Sequence, residues 1–257
     1  MHTYDDDDEI EKMTVEEDNS TFLKTISNDK LYSGLIFGIG FLGLQILAYF
    51  LSLIPNITDS VLTFTVYLIC TIVVLVLILL NSKIRKKISA HSFSDIKILI
   101  SFTVGACVSF FFINFIVGVV QQFIFNLLNV SGSANDNQTS LEEMFKSDTL
   151  SAVLLIFSTC IFAPILEELT YRAALIGLFP KKFKYLGYTV ASILFALIHT
   201  NFISDTPVIE LVNMLSYLAA GFTLGFIYIR TENILPSIVV HAVNNIIGVV
   251  MILGGSQ

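Results

Sequence analysis

The sequence predicts an all-α, polytopic transmembrane helix bundle of seven or eight spans, and three observations carry that prediction. Of its 257 residues, 54% are hydrophobic and 14% are charged. Seven uncharged stretches, residues 31–58, 60–82, 98–135, 149–166, 185–204, 211–229 and 233–257, hold roughly two thirds of the chain, and a helix needs about 20 residues to cross the hydrocarbon core of a bilayer. The stretches are continuously apolar rather than alternating, so they read as helices and not as barrel strands. A soluble globule is thereby excluded. So is a secreted disulfide scaffold, because Cys70, Cys107 and Cys160 are scattered singly in apolar segments, without paired or metal-type spacing. They read as small buried apolar residues.

Taken in order, residues 1–30 form an acidic, disordered cytoplasmic arm and residues 31–257 the transmembrane bundle. The arm carries Asp5 to Asp8 and few cations. It lacks the basic start and apolar core of a signal peptide, and reads as a solvated segment. It accounts for the net charge of −7, which therefore says nothing about a substrate. The first two spans follow. The third stretch is too long for one perpendicular crossing, so residues 98–120 are the expected span and Gln121 begins an interfacial continuation that leaves room for an eighth helix. The polar segment Ser131 to Asp148 is expected to be an external loop, and its Asn137-Gln138-Thr139 matches a short glycosylation acceptor pattern. The fourth span ends near Leu178, the fifth begins near Gly187 and the seventh near Glu232.

Orientation follows the Lys and Arg of short loops, with acids counting little. Lys83, Arg85, Lys86 and Lys87 lie between the second and third spans, Lys181, Lys182 and Lys184 between the fourth and fifth, and Arg230 between the sixth and seventh. These loops and the N-terminus are expected in the cytoplasm of a cell-membrane protein. The basic run also suits contact with anionic lipid headgroups. Membrane lipids are expected partners, and nucleic acid is not.

An ionisable side chain inside a span costs several kcal/mol, so each is a functional candidate. The fourth span holds Glu167, Glu168 and Arg172, the fifth His199, and the seventh His241 and Asn245. Residues four apart share a helix face, so Glu168 and Arg172 are expected to pair and to neutralise each other. Glu167 points elsewhere, with Tyr171 at the same spacing, and suits a general base acting on water. Measured from the cytoplasmic ends at about 1.5 Å per residue, Glu167, His199 and His241 reach a similar depth and meet at one level. Pro164, just before the acids, frees the carbonyl four residues back. Gly221 and Gly225 on the sixth span allow close approach of a neighbour. Asn245 shares a face with His241 and is an amide donor fit for an oxyanion; Asn244 is turned away, and Asn201 follows His199.

These motifs resemble those of the CAAX protease and bacteriocin-processing family of intramembrane endopeptidases, also called Abi proteins. The family pattern is E-E-x-x-x-R, F-x-x-x-H and H-x-x-x-N, matched by Glu167-Glu168 with Arg172, Phe195 with His199, and His241 with Asn245. The resemblance runs from Ala163 to Asn245 and implies a family core at about residues 149–254. It departs slightly, with Tyr171 where Phe is frequent and Ala173 where Gly is common, the latter expected to loosen helix packing. It implies an endopeptidase in which Glu167 and His199 activate water, His241 and Asn245 stabilise the oxyanion, Glu168 and Arg172 support them, and the cavity opens to the cytoplasm. The substrate implied is a hydrophobic or membrane-associated peptide, with lipid modification or bacteriocin immunity among the family's themes. No cofactor is required; a zinc variant would use Glu167, His199 and His241 as three ligands of an open site. A competing expectation is a non-catalytic membrane protein that confers immunity or regulates by binding a partner in the same cavity. Proton-coupled transport is disfavoured, because no repeated halves are visible.

Overall fold

A computed structural model describes residues 30–80, 93–130 and 136–254; the acidic arm and the basic run from Lys83 to Lys87 lie outside them. The described residues form helices without strands: α1 Lys30–Ser52, α2 Asp59–Leu80, α3 Phe93–Leu128, α4 Asp136–Ser147, α5 Thr149–Leu178, α6 Lys184–Ile198, α7 Pro207–Thr231 and α8 Ile234–Gly254. Six of them, all but α4 and α6, are long and apolar enough to cross a membrane. The seventh expected crossing is α6, whose 15 residues extend only about 22 Å against a hydrocarbon core of about 30 Å.

Two sequence expectations are corrected. The third stretch does not bend at Gln121: α3 runs unbroken for 36 residues and stops at Asn129, which takes the left-handed conformation at φ 51°. Gln121, which read as the start of an interfacial turn, is buried. Its Nε2 donates to the Val212 carbonyl at 3.0 Å, and its Oε1 accepts from the Ser216 hydroxyl at 3.1 Å. A buried amide so tied to α7 needs no water, and the helix can continue. The segment expected as a loop contains α4. Leu141, Met144 and Phe145, at helical spacing, pack with Leu155, Cys160 and Val249, a narrow apolar stripe hidden in a polar composition.

The helices alternate in direction, so the chain has two distinct ends. Ser60 and Ser151 hydroxyls meet at 2.8 Å at the end that also holds α4, the α6–α7 loop and the start of α5. Asp148 caps α5 there, its Oδ1 accepting the Ser151 N–H at 3.0 Å. The opposite end carries the Lys181–Phe183 turn and Arg230.

α5 is the central element. From Ala163 to Gly177 every residue but Ile165 is buried, the pattern of a helix surrounded by others. Ala173 is among them, fully buried and not loosely packed. Cys70 and Cys160 are buried and Cys107 half-buried, while the lipid-facing surface is apolar, with Val108, Phe112 and Phe115 of α3 exposed. α6 presses against α7 at the two glycines read from the sequence. A Cβ on Gly221 would lie 2.7 Å from the Ser192 carbonyl oxygen, and one on Gly225 would lie 2.7 Å from the Tyr188 ring. This contact brings the helix bearing His199 against the rest of the bundle.

Candidate active site

Local irregularity in α5 sets the site up. The helix widens to π geometry at Ser158–Phe162 and again at Leu169–Leu175, a deviation frequent at functional positions. In the first of these, the Ala163 N–H bonds the Ser158 carbonyl five residues back. The next carbonyl, that of Thr159, would pair in the same register with position 164, where proline has no N–H. Asn245 fills the vacancy, its Nδ2 donating to the Thr159 oxygen at 2.8 Å. In this wider register the carbonyl that Pro164 frees is that of Thr159, five residues back and not four, and it is tied to the seventh-span asparagine. Asn244 continues the polar chain, donating to Asn245 Oδ1 at 3.3 Å and accepting from Asn114 of α3 at 3.4 Å.

Glu168 is fully buried and is the most heavily partnered group. Its Oε1 lies 3.0 Å from Arg172 Nη1, the pair expected from their spacing, and 2.9 Å from His241 Nδ1. Its Oε2 accepts the Ser237 hydroxyl, which also reaches the Leu224 carbonyl. A buried carboxylate is tolerable only when so satisfied. Arg172, 1% exposed, directs Nη2 to the Gly221 carbonyl at 3.4 Å and lays its guanidinium 4.4 Å above the Phe195 ring.

Because a carboxylate can only accept, the His241 proton facing Glu168 sits on Nδ1. This directs His241 Nε2 towards Glu167, whose Oε2 is 3.8 Å away. Glu167 is therefore not without company, as its position on the helix had implied. Its Oε1 also accepts the Tyr67 hydroxyl of α2 at 3.0 Å.

His199 is placed differently. It follows the last residue of α6 and is half-buried. Its Nδ1 bonds the Phe195 carbonyl at 2.7 Å, so the proton is again on Nδ1 and Nε2 is the acceptor nitrogen. Its ring stacks on Tyr217 at 4.7 Å. The Phe195 ring joins the two imidazoles, with its centroid 4.6 Å from that of His199 and 5.9 Å from that of His241. Phe195 is thus the hub of the cluster. The three motifs do gather, and the imidazole of His241 stands 3.8 Å from Glu167.

A cavity of about 380 Å³ reaches His199 from the side of α4, lined among others by Asp136, Ser140 and Asn201. It lies at the end of the bundle opposite the Lys181 to Lys184 turn, and of the expected site residues its lining includes His199.

The zinc variant calls on Glu167, His199 and His241. Among the described residues, no group of three or more His, Cys, Asp and Glu side chains is placed to hold a metal ion.

Four participants escaped the sequence reading. Tyr67 and Tyr217 sit in apolar spans without a motif. Ser237 is four residues before His241, a helical spacing that was available as a signal. Glu210 lies in the short polar interval between two apolar stretches, yet it is 1% exposed.

Residues 149–247 match the family described as type II CAAX prenyl endopeptidase Rce1-like. The chain is similar to "Putative membrane peptidase YdiL" of Bacillus subtilis (strain 168), at 29% identity over 138 residues, which is 53% of this chain and 49% of that protein. It is similar to UPF0177 protein YvdC of Lactococcus lactis subsp. lactis (strain IL1403), at 30% identity over 196 residues, covering 76% of this chain and 67% of the relative. A third relative, UPF0177 protein YaiF of the same strain, is 34% identical over 135 residues, 51% of this chain and 55% of its own. The chain thus spans about half the length of the first and third relatives and two thirds of the second. No solved structure matches it.

Proposed function

Since the chain belongs to the Rce1-like family of type II CAAX prenyl endopeptidases, we propose that it is an intramembrane endopeptidase, hydrolysing peptide bonds of a hydrophobic or membrane-associated peptide with its own side chains. The observation that carries this reading is the 3.8 Å gap between Glu167 Oε2 and His241 Nε2. A polar separation of that size accommodates one water bonded to both groups.

The chemistry follows from the charges. Glu167 takes a proton from the bridging water as its oxygen bonds the scissile carbonyl carbon and the carbonyl π pair moves onto oxygen. Collapse of that tetrahedral species re-forms the carbonyl, breaks the C–N bond and returns the proton from Glu167 to the departing nitrogen. A protonated His241 makes the buried cluster neutral, two carboxylates against two cations, and supplies an N–H for the oxyanion. Glu168 accepts the His241 Nδ1–H and fixes the orientation of the ring, much as a carboxylate does behind a catalytic histidine. Asn245 uses one amide hydrogen on Thr159 and has a second to offer the oxyanion. His199, through Nε2, accepts from the attacking water on the substrate side and aims it. Arg172 holds Glu168 ionised, and Tyr67 orients Glu167.

No step is routed through a metal. The zinc variant is decided by metal analysis of purified protein: stoichiometric zinc supports it, and cleavage that persists in chelator counts against it. The main test is Glu167→Gln in purified, folded protein, which is expected to abolish cleavage of a hydrophobic peptide. Undiminished turnover would refute the mechanism. Full biological effect in both Glu167→Ala and His199→Ala would instead favour a binding protein.

A further inference from the structure

A line of three amides joins α3 to the irregular turn of α5. Asn114 Nδ2 donates to Asn244 Oδ1 at 3.4 Å, Asn244 Nδ2 to Asn245 Oδ1 at 3.3 Å, and Asn245 Nδ2 to the Thr159 carbonyl at 2.8 Å. The last acceptor settles the sense of all three. A carbonyl oxygen only accepts, so Asn245 presents its amide nitrogen to Thr159 and its oxygen to Asn244. Asn244 must then donate, and its own oxygen faces Asn114, which must donate in turn. The polarity of the line is therefore set by Pro164, whose missing N–H leaves the Thr159 carbonyl open.

Packing places the two outer amides in this line. Ala106 and Phe110 of α3 seat against Leu224 and Ile227 of α7 and Val240 of α8. Asn114 is four residues beyond Phe110 and Asn244 four beyond Val240, so each continues the packed stripe of its own helix. Asn114 sits well inside the apolar run Lys97–Leu128. In hydrocarbon, water does not take the place of a lost partner, and an amide is retained there by bonding across to another helix. α3 precedes residues 149–247, which match the family, and bears none of the three motifs.

We propose that Asn244 and Asn114 are positioning residues for Asn245, which fix the plane of its amide so that the Nδ2 hydrogen not spent on Thr159 is held ready for the oxyanion. A planar amide held by one hydrogen bond turns about that bond, and its second N–H sweeps a cone. Held at both Nδ2 and Oδ1, it keeps one plane, and a donor fixed before the reaction needs no reorganisation as charge develops. Asn114 completes the arrangement by occupying the Asn244 oxygen, which leaves Asn244 its N–H groups to turn towards Asn245. The oxyanion role rests on the hydrolytic reading above, whereas the sense of the amide line rests on geometry alone.

The test is a double-variant cycle on the full chain in detergent, with Asn244→Leu, Asn245→Ala and both together. Two quantities are read: kcat and KM on a hydrophobic peptide, and the Kd of a phosphinate isostere of that peptide, a tetrahedral mimic that binds without turnover. Leucine keeps the size of the side chain and removes its hydrogen bonds. Removing an oxyanion donor costs about 10²–10³ in kcat and loosening one costs less, so Asn244→Leu is expected to lower kcat and phosphinate affinity about tenfold, with KM within about twofold. In Asn245→Ala, which has no donor left to aim, adding Asn244→Leu is expected to change either quantity by less than about twofold. An equal fractional loss in both backgrounds marks a packing role and overturns the proposal, as does an Asn244→Leu protein with full kcat and phosphinate affinity. If Asn244→Leu does not fold, Asn114→Leu enters the same cycle, with a loss of about threefold expected in the native background and the same outcomes overturning it. Glu167→Gln in the same assay separates the two failures. Normal cleavage there sinks the hydrolytic reading, whereas an inactive Glu167→Gln beside an unimpaired Asn244→Leu sinks only the amide line.

Discussion

Replacing Glu168 by Gln removes one charge from the most buried ion pair among the described residues and leaves its partner behind. Arg172 would keep the Gly221 carbonyl at 3.4 Å and the Phe195 face at 4.4 Å. A hydrogen bond from a charged group contributes about 1.5–3 kcal/mol and a cation–π contact about 0.5–2 kcal/mol. Neither replaces a carboxylate at 3.0 Å, and breaking a buried pair from one side costs about 3–5 kcal/mol. At about 1.4 kcal/mol per decade, the folded-to-unfolded ratio of Glu168→Gln should fall by roughly two to four orders of magnitude. Arg172→Met, which strands Glu168 instead, should lose a similar amount. The double variant Glu168→Gln/Arg172→Met leaves no stranded charge and should be more stable than either single variant, because the two sites are coupled. Thermal unfolding in detergent, with size exclusion to confirm folded protein, measures all four corners of the cycle. Losses that simply add in the double variant would refute the claim that these residues stabilise each other by charge.

Further predictions concern the groups around this pair. Tyr67→Phe should reduce turnover with little change in KM, since it removes the hydroxyl on Glu167 Oε1 without opening a cavity; steady-state kinetics on a hydrophobic peptide checks this. Pro164→Ala restores an N–H that can meet the Thr159 carbonyl, so Asn245→Ala should cost about 1–3 kcal/mol in the native background and markedly less in Pro164→Ala, as read by unfolding midpoints. Asp148 caps α5 outside the span, and the Ser151 hydroxyl and N–H hold its carboxyl below the ordinary carboxylate range. A lowered folded value means the cap is at full strength above the unfolded value of about 3.9 and is lost as pH falls through the folded one. The wild type should therefore lose helix stability below about pH 4 more steeply than Asp148→Asn, followed by circular dichroism.

Much of the site was legible because membrane spans make polar residues conspicuous. Glu167, Glu168, Arg172, His199, His241 and Asn245 stand out from apolar surroundings, and the four-residue spacing of Glu168 and Arg172 foretold their pairing. What that reasoning lacked was partners supplied by other helices. Tyr67 is unremarkable in α2 until α5 lies beside it, and Glu210 is satisfied only by the Asp136 and Asn201 N–H groups that α4 and the segment after α6 bring to it. The length of α3 and the existence of α4 were misjudged for a related reason: a buried glutamine tied to α7 and a short apolar stripe are local features whose meaning comes from what they touch.

The sequence by itself determined the solvent: long uncharged stretches require lipid, and lipid requires helices that satisfy their own backbones. It also determined which side chains are expensive enough to demand a partner. Only the tertiary structure decided the pairings, because distances across helices depend on packing and not on spacing along one chain. The close approach at Gly221, the π turns around Pro164 and the Phe195 ring direct His241 to Glu167 and Glu168. They leave His199 in the lining of a cavity beside α4.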